Sequence, residues 1–218
     1  MLFFGAAQIH AGSLDVYVGY ADDLRPSPFF PSPWDGSPNT IFDGFSKAAH
    51  PTQDFDAGAI RIDNTGAAPF IFNQAVVTFF NGVTFNLWGS HTVNPGEHLI
   101  LTQTSGASEN FDTSDVAVFR ATDDPAPDGV NSPHITLTID GTVLSDFIDT
   151  AHVLDTGGFD LVNSQGGNHN ESLQWRKIGT TGVTDPRGNP TGAAPDTGST
   201  VMLLSLALVG LANFKGRH

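Results

Sequence analysis

Apolar and polar residues alternate in short runs along most of this chain. Leu14, Val16, Val18 and Tyr20 fall on one side of an extended segment, with Asp15, Tyr17 and Gly19 on the other. That is the period of a half-buried strand. Residues 59–63 alternate again and run into the turn Asn64-Thr65-Gly66. Strand-like runs over 70–72, 75–80 and 83–88 follow, broken by Asn73 and by Asn81-Gly82, a hairpin dipeptide. Asn94-Pro95-Gly96-Glu97 forms a turn that feeds a strand over 98–103, and residues 116–120 predict another. Residues 123–132 are an Asp/Pro/Gly loop. Ile135, Leu137 and Ile139 alternate with Thr136, Thr138 and Asp140, and Asp140-Gly141 turns the chain into 142–148, the clearest hairpin in the sequence. Residues 173–178, with Trp175, give the last strand. Short strands at steady spacing, with no helical period before residue 201, predict an all-β fold. We expect an antiparallel β-sandwich, immunoglobulin-like or jelly-roll, over residues 12–178.

Both ends break this pattern. Residues 1–11 are mostly apolar and end in Ala11, which fits the last part of a signal peptide. The charged start of such a peptide is missing, so we expect the true start upstream; a first buried strand is the other reading. From 179 to 194 the composition turns to Gly, Thr, Pro and Asn, which predicts an extended linker. Residues 195–218 are ordered as turn, apolar helix and basic end. Pro195-Asp196-Thr197-Gly198-Ser199-Thr200 is small and polar. Val201, Leu204, Leu208, Leu211 and Phe214 lie in the apolar run, and Lys215 and Arg217 close it. As a helix the run is roughly 21 Å long against a hydrocarbon core of about 30 Å. That is marginal for a permanent span, and we expect a short transmembrane helix with the basic end on the cytoplasmic side. A plain membrane anchor or a buried terminal helix are the other readings.

The tail resembles the C-terminal sorting signals of the PEP-CTERM type, and in particular the VPDSG-CTERM variant. In that variant a Pro-Asp-Ser/Thr-Gly-Ser/Thr motif precedes a short apolar helix and a basic end. Pro195 to Thr200 match; Ala194 stands where Val is usual, and Lys-Gly-Arg-His replaces a tighter Arg cluster. The resemblance implies an exosortase-like membrane transpeptidase as partner, and cutting near the motif. It also implies a Gram-negative bacterium that makes exopolysaccharide. The middle of the chain resembles lamin-tail-like domains, which are immunoglobulin-like sandwiches. Ile62-Asp63-Asn64-Thr65-Gly66 and Pro95-Gly96-Glu97-His98-Leu99 carry that likeness. It bears on the fold and implies no catalytic residue.

Composition narrows the function. Formal net charge is -14, which argues against a nucleic-acid partner and suits an exposed surface or cation binding. Acid is almost all Asp, with Glu only at 97, 109 and 171; Asp favours turns and caps. Cysteine is absent, so there is no disulfide framework, thiolate metal site or cysteine nucleophile.

Three groups of residues invite a chemical reading. Asp149, Asp155 and Asp160 lie in one acidic stretch with Asp146 and His152, and smaller clusters stand at Asp112/Asp115 and Asp54/Asp56. Carboxylates suit a structural calcium ion, although the spacing is not that of an EF-hand; solvated caps on turns are the alternative. Phe29, Phe30 and Trp34 sit among Pro26, Pro28, Pro31, Pro33 and Pro38. With Trp88 they could stack on sugar rings, or they could pin a long loop onto the sandwich. Leu154-Asp155-Thr156-Gly157 resembles an aspartic-protease motif, but the second Asp-Thr-Gly, at Asp196, belongs to the tail and cannot supply the partner carboxylate. No histidine pair has metalloprotease spacing, and no serine elbow or phosphate loop occurs. No catalytic residue, firm metal site or cofactor is assigned. We therefore expect an exported, non-enzymatic protein of the cell surface or extracellular matrix, held transiently in the membrane by its tail. A carbohydrate-binding module is the alternative, and a secreted hydrolase the third reading.

Overall fold

The computed structural model describes residues 13–23, 27–54, 56–106, 110–114, 116, 131–155 and 170–182. The signal-like start, most of the strand expected over 116–120, Asp160, the linker from 183 onward and the whole sorting tail lie outside these residues. Among the described residues there is no helix, so none is long and apolar enough to cross a membrane.

Among the described residues, ten strands form two five-stranded sheets. The first contains β10 (Leu173–Gly182), β1 (Ser13–Asp22), β3 (Asp56–Asn64), β7 (His98–Leu101) and β2 (Thr40–Asp43), in that order. The second runs β5 (Thr84–Phe85), β4 (Phe70–Thr78), β8 (His134–Ile139) and β9 (Thr142–Ile148), with β6 (His91–Val93) also paired to β4. Leu14, Val16, Val18, Ile60, Ile62, Leu99 and Leu101 from the first sheet meet Phe70, Phe72, Val77, Ile135, Leu137 and Phe147 from the second in one buried cluster. Each such side chain withdrawn from water contributes about 1.5–3 kcal/mol, and this shared core makes the two sheets a sandwich.

Among the described residues the strands expected from alternation are present, with four differences. First, the sheets are not wholly antiparallel, because β2 pairs with β7 in parallel, Thr40 beside His98 and Asp43 beside Leu101. Second, the break expected at Asn73 is a β-bulge inside one strand. The register against β8 slips between Phe72 and Gln74, and buried positions switch from Phe70 and Phe72 to Ala75 and Val77. An extra residue flips the side-chain parity and so keeps both halves of β4 facing the core. Asn73 uses the bulge, its Oδ1 accepting from the Gly141 amide at 2.8 Å. Third, the strand expected over 83–88 is confined to Thr84–Phe85, and Trp88 turns into the core.

Fourth, β10 runs to Gly182, through residues that composition assigns to a linker. Gly179, Thr180, Thr181 and Gly182 pair with Val16, Asp15, Leu14 and Ser13. A Cβ on Gly179 would stand 2.7 Å from the Phe147 ring, so this glycine lets β10 lie close against β9. The Asp140-Gly141 hairpin forms as expected, with positive φ of 49° and 73° at its two central residues.

Candidate functional site

The first sheet brings four acids to one inner corner. β1 and β3 pair so that Tyr20 stands opposite Gly58 and Asp22 opposite Asp56. Strand parity puts Tyr20 and Asp22 on the side that carries Leu14, Val16 and Val18, and puts Asp56 and Gly58 with Ile60 and Ile62. Two carboxylates thus face each other across a ladder, an arrangement that repels. Asp22 is buried. Its Oδ2 accepts from the Glu171 amide at 3.0 Å, and its carbonyl accepts from Asn170 Nδ2 and Ser172 Oγ, both at 3.0 Å. That ties the start of β10 to the end of β1. The buried Tyr20 hydroxyl donates to Asp112 Oδ1 at 2.9 Å, and Asp112 Oδ1 also accepts from Ser114 Oγ at 3.0 Å.

Gly58 opens room above this corner. A Cβ there would lie 2.4 Å from Thr113 Oγ1, so the missing side chain admits the 110–114 loop over the strand. Thr113 is fully buried, and its Oγ1 has no hydrogen-bond partner; neither has the buried Oδ1 of Asp56. Burial pushes the Asp56 carboxyl up to about 8. The Tyr20 hydroxyl beside it only partly offsets this, and Asp112, Asp22 and Glu171 raise it further. Burial likewise holds the Tyr20 hydroxyl well above its usual range, with Asp56 and Asp112 adding to the effect.

The acidic stretch after β9 is a separate structure. Asp149 Oδ2 accepts from the Leu154 amide at 2.8 Å and its carbonyl from the His152 amide at 3.0 Å, closing a tight turn. His152 has a positive φ of 52°, and its Nδ1 stands 3.0 Å from Asp155 Oδ1. Asp149 and Asp155 are both buried. Burial lifts Asp149 to about 6, against the pull of the backbone amides of Leu154, Ala151 and Val153. Asp155 rises to about 8 through burial and the neighbouring Asp149. The structure thus brings two of the three candidate calcium ligands into one turn, and the third, Asp160, lies outside the described residues. Among the described residues no group of three His, Asp or Glu side chains stands at metal-ligand distances.

The outer face of the first sheet carries the aromatic residues. Arg61 lies over the Tyr17 ring at 4.0 Å and the Trp175 ring at 5.3 Å, and reaches Asp63 through Nε at 2.9 Å. Trp175 stacks on Trp34 at 5.9 Å, and Trp34 meets Phe30 and Phe42 edge to face at 5.3 and 5.4 Å. The Pro-rich loop is held down by Trp175 Nε1 donating to the Pro33 carbonyl at 3.0 Å and Gln174 Nε2 donating to that of Phe30 at 2.7 Å. Phe30 and Trp34 are half-buried in these contacts, whereas Phe29 is 62% exposed. Trp88 offers no stacking face. It is 6% exposed, packs on Phe111 at 4.9 Å and donates Nε1 to the Thr102 carbonyl at 2.7 Å. The apolar run that carries it bends inward after Phe85.

Asp56 and Asp112 belong to two of the small acidic clusters noted in the sequence, but their meeting with Asp22 in one corner is not expected from it. One signal for it is present: Asp22 occupies the inward position that continues Leu14, Val16, Val18 and Tyr20. An acid in the apolar register of a strand marks a buried charge. Comparison with protein-family models, curated proteins and solved structures gave no match for this chain.

Proposed function

We propose that this chain is an exported, non-enzymatic β-sandwich protein of a bacterial cell surface or extracellular matrix, delivered by an exosortase-like transpeptidase. The observation that carries this reading is the ordered tail: Pro195 to Thr200, then an apolar run through Phe214, then Lys215 and Arg217. An acidic chain of net charge -14 without cysteine is compatible with that destination. Within the sandwich class we favour the immunoglobulin-like form. The two turns that resemble lamin-tail domains dock on each other, Gly96 donating to the Asn64 carbonyl at 2.9 Å and Asn64 to that of Glu97 at 3.0 Å. Mass-spectrometric mapping of both termini in each cell fraction tests the sorting proposal. A surface form starting near Gly12 and ending between residues 195 and 200 supports it. Retention of residues 201–218 in a membrane fraction overturns the sorting step and leaves a plain anchor.

The exposed Phe29 beside the Phe30, Trp34 and Trp175 array favours a second reading, a carbohydrate-binding surface. Binding on a glycan array that disappears in Phe29→Ala and Trp34→Ala supports it. Unchanged binding in both variants removes it.

A further inference from the structure

We propose that Asn81 is a spontaneous deamidation site of this protein, and that its reaction breaks the tie between the β4–β5 turn and Val116. Asn81-Gly82 is the one Asn-Gly pair in the chain. Both residues are exposed in the turn that joins β4 to β5. Gly82 has a φ of 84°, and a Cβ placed on it would meet nothing within 4 Å. Its nitrogen therefore carries no side chain to hinder an attack, and the turn is open to water.

The step is an attack of the Gly82 nitrogen on Asn81 Cγ. The N–Cγ bond forms, the Cγ–Nδ2 bond breaks, and ammonia leaves with the proton from the Gly82 nitrogen. Water then opens the succinimide ring. Addition at Cγ gives aspartate, and addition at the backbone carbonyl carbon gives isoaspartate, with a longer main chain. The Val83 amide donates to Asn81 Oδ1 at 3.1 Å. Negative charge collects on that oxygen as the new bond forms, so a donor there favours the step. One bond opposes it: the Gly82 amide donates to the Phe79 carbonyl at 2.9 Å, and this turn must open locally before the nitrogen can attack.

The consequence follows from the other end of the side chain. Asn81 Nδ2 donates to the Val116 carbonyl at 2.7 Å, and neither product keeps that donor. A carboxylate oxygen in its place faces a carbonyl oxygen, and two acceptors repel. In isoaspartate the longer main chain also disturbs the Phe79 amide's bond to the Val83 carbonyl, 2.9 Å long, and the short β5 ladder of Phe85 on Val77 and Thr84 on Thr78.

Incubation of the full chain at pH 8 and 37 °C, followed by peptide mapping in a mass spectrometer, tests the site. We expect Asn81 to convert to aspartate and isoaspartate before any other described asparagine. Conversion should be roughly tenfold slower than in the chain held unfolded in urea, which is the cost of opening one hydrogen bond. Asn81→Gln, whose longer side chain has to close a larger ring, should stop the reaction. Asn81→Asp should reproduce its effect. Hydrogen exchange should quicken several-fold at the amides of Gly82 and Val116, which donate to the Phe79 and Thr113 carbonyls, and stay unchanged in the β8–β9 hairpin. An Asn81 that stays an amide in the folded chain while the unfolded chain converts overturns the site, and so does earlier conversion at another described asparagine. Unchanged exchange at Gly82 and Val116 in Asn81→Asp overturns the link to Val116.

Discussion

Asp63 and Asp56 belong to the same strand, yet they have opposite surroundings. Seven positions apart on β3, they face opposite sides of the sheet. Asp63, on the outer side, has a guanidinium and an imidazole beside it: Arg61 Nη2 donates to it at 3.1 Å and His98 Nδ1 stands 2.7 Å away. Arg61 in turn lies over the rings of Tyr17 and Trp175. Asp56, on the inner side, meets a phenol and other acids. One carboxylate has a guanidinium beside it, and the other is influenced by a phenol and by acids. The difference shows that burial of a charge does not by itself mark a site. What separates the two carboxyls is the sign of the groups that act on them.

The sharpest way to break this contrast is to take away the cation beside Asp63. Arg61→Met leaves Asp63 buried and poorly compensated. We expect a loss of about 3 kcal/mol, which for a domain of this size lowers the melting temperature by roughly 6–12 °C, measured by calorimetry. Titrating the inner side comes next. Asp56 and Asp155 have folded-state values of about 8, and Asp149 of about 6, above the ordinary Asp value of 3.8. Their contribution to stability is therefore complete below pH ~4 and is lost as pH rises through about 6 to 8. In chelator the melting temperature should fall by several degrees between pH 5 and pH 8.5, and a rise over that interval would contradict these surroundings. Asp56→Asn removes one of these titrations. It should flatten the pH slope and, at pH 8, raise the melting temperature by roughly 2–4 °C, equivalent to about 1 kcal/mol. The smallest effect is expected from His98→Gln, which keeps a donor beside Asp63 but gives up any charge. A change of about 0.5 kcal/mol or less in chemical denaturation fits a partly exposed pair.

Most of the sandwich was legible because strand alternation is a local property. Ile135, Leu137 and Ile139, with the Asp140-Gly141 turn, specify a hairpin whatever surrounds them. Where pairing is decided at a distance, sequence is mute. β2 has four half-buried residues with no alternation, and only the parallel ladder with His98–Leu101 makes it a strand. Gly179-Thr180-Thr181-Gly182 has the composition of a linker and is a strand because β1 offers it an edge. The acidic corner was hidden for a similar reason. Asp22, Asp56, Asp112 and Glu171 are spread over the whole domain in sequence; strand pairing sets Asp22 opposite Asp56, and hydrogen bonds bring in Asp112 and Glu171. The Asp149 and Asp155 pair was visible because its members are six residues apart. In the aromatic loop, residue type told which side chains matter, but only the fold shows that Phe30 and Trp34 grip Trp175 and Phe42 while Phe29 faces outward.

Ser13 pairs with Gly182, so the first and last strands of the sandwich begin and end at the same edge of the first sheet. A pull applied between these two points acts across the β1–β10 ladder and not along it. Its hydrogen bonds then open one after another from that edge, like a zip, and never share the load. A tether leaving beyond Gly182 and a drag applied at the Ser13 end would therefore peel the domain apart at low force. The same tether loaded from the far end of the sandwich, near Tyr20 and Leu173, would shear many bonds at once and hold much longer.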